Sequence, residues 1–198
     1  MDRESKRQQT KQLLLDVTKE LVREKGCSKM TLSNIMERTG LSKGAIYHYV
    51  KSKDELLAMV LQKRIEDIND RFFAEVEKGN KELEGPLKEI LQNLPSLQDP
   101  QDATNQIFIY LLGQNDEAVR HVIRQFYDQA VKLSKRWIVV GQQNGVIPLS
   151  VDTDKTAELF IMFSYGLRIR SAISTNSYAF NTDDFSTFIT DILRSNKE

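Results

Sequence analysis

Cysteine is almost missing from this sequence. Cys27 stands alone, which excludes an intramolecular disulfide and fits a reducing cytoplasm. Histidine is nearly as scarce: His48 and His121 are the only two, too few imidazole and thiol ligands for a transition-metal sensor, so no metal is expected. No Gly-rich phosphate loop, G-x-S-x-G or H-E-x-x-H occurs, and neither histidine pairs with Cys27 and a third group as a nucleophile would require. The chain therefore reads as a non-enzyme, with no catalytic residue and no cofactor. No apolar run approaches the ~18 residues that a membrane-spanning helix needs. The opening MDRESKRQQTKQ is charged and lacks the apolar stretch of a secretory signal. Period-2 alternation, repeats and low-complexity segments are also missing, which leaves an all-α reading.

Excess charge is lacking too: 28 Lys/Arg balance 28 Asp/Glu. The balance is uneven along the chain. Residues 1–55 hold 12 Lys/Arg against 8 Asp/Glu, and the remainder holds 16 against 20. A polyanion needs a local basic face and not a basic chain, so a neutral total does not exclude nucleic acid. With 198 residues, 40% of them hydrophobic, there is room for a small head and a larger helical body.

The densest signals lie between Met30 and Leu57. Leu32, Ile35 and Met36 share one face of a short helix beginning near Thr31. Gly40 stops it by accepting the left-handed conformation usual past a helix end. Ser42 then offers an N-cap to a second short helix from Lys43 to about Tyr49, with Ala45, Ile46 and Val50 inward and Lys43, Tyr47 and His48 outward. Ser52 and Glu55 form a capping box that opens a third helix. Helix, glycine turn, helix is the helix-turn-helix arrangement. Two positions break local rules. Gly44 lies inside a helix, where glycine costs about 1 kcal/mol against alanine, and Lys53 sits in a first turn, where the macrodipole disfavours cations. Both fit a chain that lies against a polyanion.

The run Thr31…Ile35…Gly40-Leu41-Ser42-Lys43-Gly44-Ala45-Ile46-Tyr47-His48-Tyr49…Lys53-Asp54-Glu55-Leu56-Leu57, behind one amphipathic helix, closely resembles the DNA-binding domain of TetR-family transcriptional regulators. Met36 and Thr39 depart from the small alanines common in that family, and Val50 from its usual phenylalanine; all three can keep a packing role. The resemblance implies an N-terminal three-helix helix-turn-helix domain, residues 1–55, and a C-terminal helical bundle for ligand binding and dimerisation, residues 56–198. In helix-turn-helix docking the start of the second helix meets base edges. That places Ser42, Lys43 and Gly44 nearest the bases, Tyr47 and His48 at the groove wall and Lys53 on a phosphate, with Thr31 and Ser33 reaching the backbone. Positions matching Lys43, Gly44, Tyr47, His48 and Lys53 commonly meet DNA in the family. Arg3, Lys6, Arg7 and Lys11 are either phosphate contacts or a solvated helix start.

The rest of the chain reads as long helices. The first spans residues 4–25 and closes at Gly26; the helix that opens at Lys53 continues to about Lys78 and ends at Gly79-Asn80. Shorter ones follow from Leu83 to Leu94 and from Ala103 to Leu112. Asp116 to Gln143 carries a heptad seam of Val119, Ile123, Phe126, Ala130, Leu133, Trp137 and Val140. Asp154 to about Ser174 is apolar nearly all round, so it needs cover on two sides, one supplied by a second copy. Asp183 and Asp184 open a last helix. The expected partners are thus a double-stranded DNA operator, a homodimer mate through the last two helices and a small-molecule effector, with no membrane. Phe72, Phe108, Phe126, Trp137, Phe163 and Arg168 are the effector-binding candidates, each weighed against a plain core role. Arg168 and Arg170 interrupt an apolar helix and serve either a ligand anion or a salt bridge between subunits. The competing reading is a DNA-binding helical module whose body serves only partner assembly.

Overall fold

Glycine and short polar side chains set the helix boundaries. The computed structural model describes residues 3–78, 84–173 and 178–194, and every regular element among them is helical. Helix α1, Arg3–Lys29, is interrupted once, at Gly26 with φ 75, where the sequence places its end; one further turn follows. Helix α2, Leu32–Thr39, starts on Thr31, whose Oγ1 accepts the Asn34 N–H at 3.2 Å while the Asn34 Oδ1 accepts the Thr31 N–H at 3.2 Å. It ends on Gly40 at φ 70. Helix α3, Lys43–Tyr47, starts on Ser42, whose Oγ accepts the Ala45 N–H at 3.2 Å. Helix α4 runs Lys53–Glu77. Ser52 Oγ caps it through the Glu55 N–H at 3.0 Å, whereas the Glu55 carboxylate turns back to the Lys51 N–H and not to the Ser52 N–H of a standard capping box.

Helix α5, Glu84–Leu91, is followed by a 3-10 turn at Pro95–Gln98, and then by α6, Ala103–Leu112, capped by Asp102. Helix α7 spans Glu117–Gln143, α8 Thr153–Ile173 and α9 Thr182–Arg194. The expected stop at Gly79-Asn80, the start at Leu83 and the end at Ser174 lie outside the described residues.

Two compact units emerge. The first combines residues 1–64 with 101–123; the second combines 65–100 with 124–198. In the first, α6 packs on α1, and Leu14, Leu21, Ile35, Ile46, Leu57, Ile107 and Phe108 are buried. In the second, the 3-10 turn packs on α8 and α9, and Leu97, Ile138, Ala157, Leu167, Phe185 and Ile189 belong to one core. Gly141 is needed where the chain folds back after α7, because a Cβ there would overlap the Ile147 side chain.

The seam on α7 differs from its heptad. Val119, Phe126 and Ala130 are buried as expected, but Ser134 and Ile138 then take over from the half-buried Leu133 and Trp137. A straight helix drifts about 20° per heptad against a strict seven-residue repeat, which moves the buried line onto the next ridge. Helix α8 keeps an uncovered apolar stripe: Met162 is 62% exposed, Ile169 41% and Ile173 75%, with Gly166 on the same line and open. None of the described helices is long and apolar enough to cross a membrane.

Candidate nucleic-acid interface

The helix-turn-helix presents its two faces as the spacing requires. Ile35, Ile46 and Val50 are buried, while Thr31, Ser33, Ser42, Lys43, Gly44, Tyr47 and His48 are all exposed. Ridge and base of α3 are thereby separated within five residues. Lys43 and Tyr47, one turn apart, lie on the same exposed face, with the ammonium 5.6 Å from the ring centroid. His48 packs edge-on against Tyr49 with centroids 5.5 Å apart. Gly44 has nothing within 4 Å of the place its Cβ would occupy, so no packing within this protein requires a glycine there.

The hydroxyls divide their labour. Thr31 and Ser42 use their oxygens as helix-cap acceptors and keep their O–H protons for an outside acceptor such as a phosphate oxygen. The angle between α1 and α2 is held by Arg38, whose two terminal nitrogens meet the two Glu24 oxygens at 3.0 and 2.8 Å. That bidentate pair lowers the Glu24 carboxyl below its ordinary value. Tyr49 OH lies 3.5 Å from the Arg7 carbonyl oxygen, which brings the basic start of α1 beside the residues following α3.

Lys53 is placed differently from the other candidates. It is half-buried, its Nζ donating to the Cys27 carbonyl at 3.1 Å and lying 4.9 Å from the centroid of the Tyr110 ring. The partial negative charge at the end of α1 and the face of an aromatic ring both favour a cation. Its awkward position in the first turn of α4 thus has an explanation inside the fold.

Cys27 itself is buried, and burial pushes its thiol up to about 11, the nearby Lys53 charge opposing the shift. The thiolate is the reactive form, so iodoacetamide at neutral pH is expected to label native Cys27 far more slowly than the urea-unfolded chain. The sign for stability follows. The folded state holds its proton where the unfolded thiol has lost it, so this group costs stability as pH rises from about 9 towards 11. Equal labelling rates in the folded and unfolded states would contradict the burial.

The effector candidates do not converge on one place. Phe72 and Trp137 meet with centroids 5.2 Å apart, and Phe73 packs edge-on to Phe72 at 5.2 Å. Phe126 stacks with Tyr165 at 6.2 Å, beside Tyr127. Burial raises the Tyr165 phenol well above its ordinary value, with the charge of Arg168, itself buried, opposing the shift. Phe163 instead joins Phe180, Phe185 and Phe188. Phe108 is fully buried in the first unit. Arg170 is engaged within the chain: the Gln98 side-chain oxygen, in the orientation that satisfies its surroundings, accepts from Arg170 Nη2 at 2.8 Å and from the Thr182 N–H at 3.2 Å.

Sequence reasoning passed over Asn69. It lies three residues before Phe72 on the apolar side of α4, and its Oδ1 is buried without a hydrogen-bond partner, as is Trp137 Nε1. The available signal was a polar residue at an apolar-stripe position between Ile65 and Phe72.

Comparison with known proteins agrees with this geometry. Residues 14–60 match the family described as bacterial regulatory proteins, tetR family. The chain is 24% identical over 170 residues to the HTH-type transcriptional repressor DhaR of Mycobacterium sp. (strain GP1), covering 84% of each. It is 25% identical over 146 residues to the HTH-type transcriptional regulator PksA of Bacillus subtilis (strain 168), covering 74% of this chain and 60% of that one. Among solved structures, a transcriptional regulator from Saccharomonospora viridis in complex with choline shares the fold with a TM-score of 0.66 and 17% identity, over 96% of this chain and 97% of the other. The matched segment is the one whose buried and exposed faces are laid out above, and the match marks residues 14–60 as a domain of the tetR family of bacterial regulatory proteins.

Proposed function

We propose that this regulator is a repressor that binds a palindromic operator as a homodimer and is released by a small-molecule effector. One observation carries the DNA reading: seven polar or small residues, Thr31, Ser33, Ser42, Lys43, Gly44, Tyr47 and His48, are all exposed around a short helix whose other face is anchored by Ile46. Ser42, Lys43 and Gly44 face the bases, Tyr47 and His48 the groove wall, and Thr31 and Ser33 the sugar-phosphate backbone. Lys53 holds the start of α4 to the end of α1 and keeps two N–H donors for a phosphate. Residues 1–55 make this surface, and residues 56–198 bind the effector and pair.

The uncovered Met162, Gly166, Ile169 and Ile173 line supports pairing through α8 and α9, since a continuous exposed apolar stripe is what a second copy would bury. Choline in the Saccharomonospora viridis relative and the repressor name of DhaR support an effector and a repressing role. Two heads on one two-fold axis read half-sites one helical turn apart, about 34–36 Å, or a multiple of it. Effector and DNA then weaken one another reciprocally, by the effector's differential affinity for the two states.

Footprinting the promoter upstream of its own gene tests the reading. Two symmetry-related protected half-sites are expected, with affinity falling steeply as salt rises. A monomer in solution, or no DNA binding even at low salt, would refute it.

A further inference from the structure

Among the described residues of the second unit, α4 and α7 each carry a buried side-chain polar atom that the fold leaves unanswered. Asn69 Oδ1, an acceptor, and Trp137 Nε1, a donor, are both buried without a hydrogen-bond partner. Phe72 relates the two, through sequence on one side and packing on the other. Asn69 is one turn from Phe72 on α4, and the Trp137 indole packs on Phe72 at 5.2 Å. A buried polar group without a partner forfeits its hydration, and two of opposite sense beside one aromatic cluster call for an explanation.

We infer that Trp137 Nε1 and Asn69 Oδ1 form the hydrogen-bonding pair for an uncharged effector with an aromatic or flat apolar skeleton and adjacent acceptor and N–H groups, as in a carboxamide. This rests on the reading of residues 56–198 as effector-binding. The ligand's carbonyl oxygen accepts from the indole N–H, and its N–H donates to Asn69 Oδ1. The rings of Phe72, Phe73 and Trp137 take the skeleton. A cation is disfavoured because the Arg136 guanidinium already lies 4.1 Å from the Phe73 ring centroid. A carboxylate is disfavoured because it offers no proton to the Asn69 oxygen.

Trp137 is the only tryptophan in the chain, so its emission in the full-length protein reports the site directly. Benzamide is the probe, with toluene, benzoate and choline as controls. Benzamide is expected to change the emission saturably, with a midpoint of roughly millimolar or below, as its size allows. Each control is expected to bind at least about tenfold more weakly, because a site built for hydrogen bonds rejects a ligand that leaves them unmade. Asn69→Leu is expected to weaken benzamide about tenfold or more and to raise the Tm of the free protein, since the unanswered oxygen is gone. Should that variant not fold, Trp137→Phe, read by calorimetry, removes the donor while keeping a ring, with the same expected loss. The inference is overturned if benzamide gives no saturable change, if toluene binds as well, or if both variants keep full affinity. Operator binding measured on the same preparations separates the two readings. DNA bound with benzamide silent refutes this site alone, and benzamide bound with no DNA bound at low salt refutes the regulator reading.

Discussion

Replacing Gly44 by alanine is expected to make the protein more stable and its operator binding weaker. The stability gain comes from the backbone. Gly44 lies in the first turn of α3 with no positive φ and with nothing within 4 Å of an added Cβ. Alanine therefore meets no clash, and it restricts the unfolded chain, a gain of up to about 1 kcal/mol. The loss comes from the interface. The proposed docking brings the α3 backbone at Gly44 against the edge of the duplex, where a methyl group holds the helix off and lengthens the contacts of Ser42 and Lys43 beside it. A loss of about 1–3 kcal/mol per head is the usual scale for one disturbed base contact, and a homodimer carries the change twice. Operator affinity is therefore expected to fall by at least about tenfold, while chemical denaturation shows an equal or higher midpoint. Opposite signs in one variant separate function from folding. Unchanged affinity would mean that no surface comes close to Gly44, and the docking geometry would have to change.

Local signals made the head legible. Gly40 adopts φ 70 and Ser42 caps α3, as stereochemistry demanded of a glycine and a serine at those two places. Ala103 to Leu112 was legible to the residue, because Asp102 and Gly113 bracket it. What short-range reasoning missed were the partners supplied by distant segments. The strain argument for Lys53 treated the first turn of α4 in isolation; the Cys27 carbonyl lies 26 residues away in sequence, and Tyr110 lies on another helix. Neither is visible in a periodicity. The seam on α7 was read as a strict heptad, but a single straight helix follows its own 3.6-residue turn unless a supercoil holds it otherwise. Aromatic residues at helical spacing marked buried faces correctly, yet spacing cannot say which buried face they share. Phe72 and Trp137 meet, whereas Phe163 joins the rings near α9.

Phe108→Ala is expected to be strongly destabilising, by about 3–5 kcal/mol. The side chain is 0% exposed and sits on α6, which packs against α1 within the unit that also holds the helix-turn-helix. Its neighbours on the helix, Ile107 and Leu111, are buried as well, so the space left by the ring cannot be filled by a small local collapse, and the cavity adds to the lost transfer energy. A phenylalanine that lined a ligand site would behave differently. One side of its ring would face the ligand's space, fewer protein contacts would be lost, and truncation would leave stability little changed while weakening effector binding. The measurement is therefore a paired one, a thermal melt and an operator titration on the folded fraction. A melting temperature lower by roughly 10 °C or more, with near-normal operator affinity in what remains folded, assigns Phe108 to the core. A near-normal melt would return it to the effector site. The outcome bears on the whole chain, because a core residue on α6 means that residues 101–123 stabilise the DNA-reading unit although they follow α4 and α5 in sequence. Truncations that remove α6 should then abolish operator binding through loss of folding and not through loss of contacts, with circular dichroism distinguishing the two.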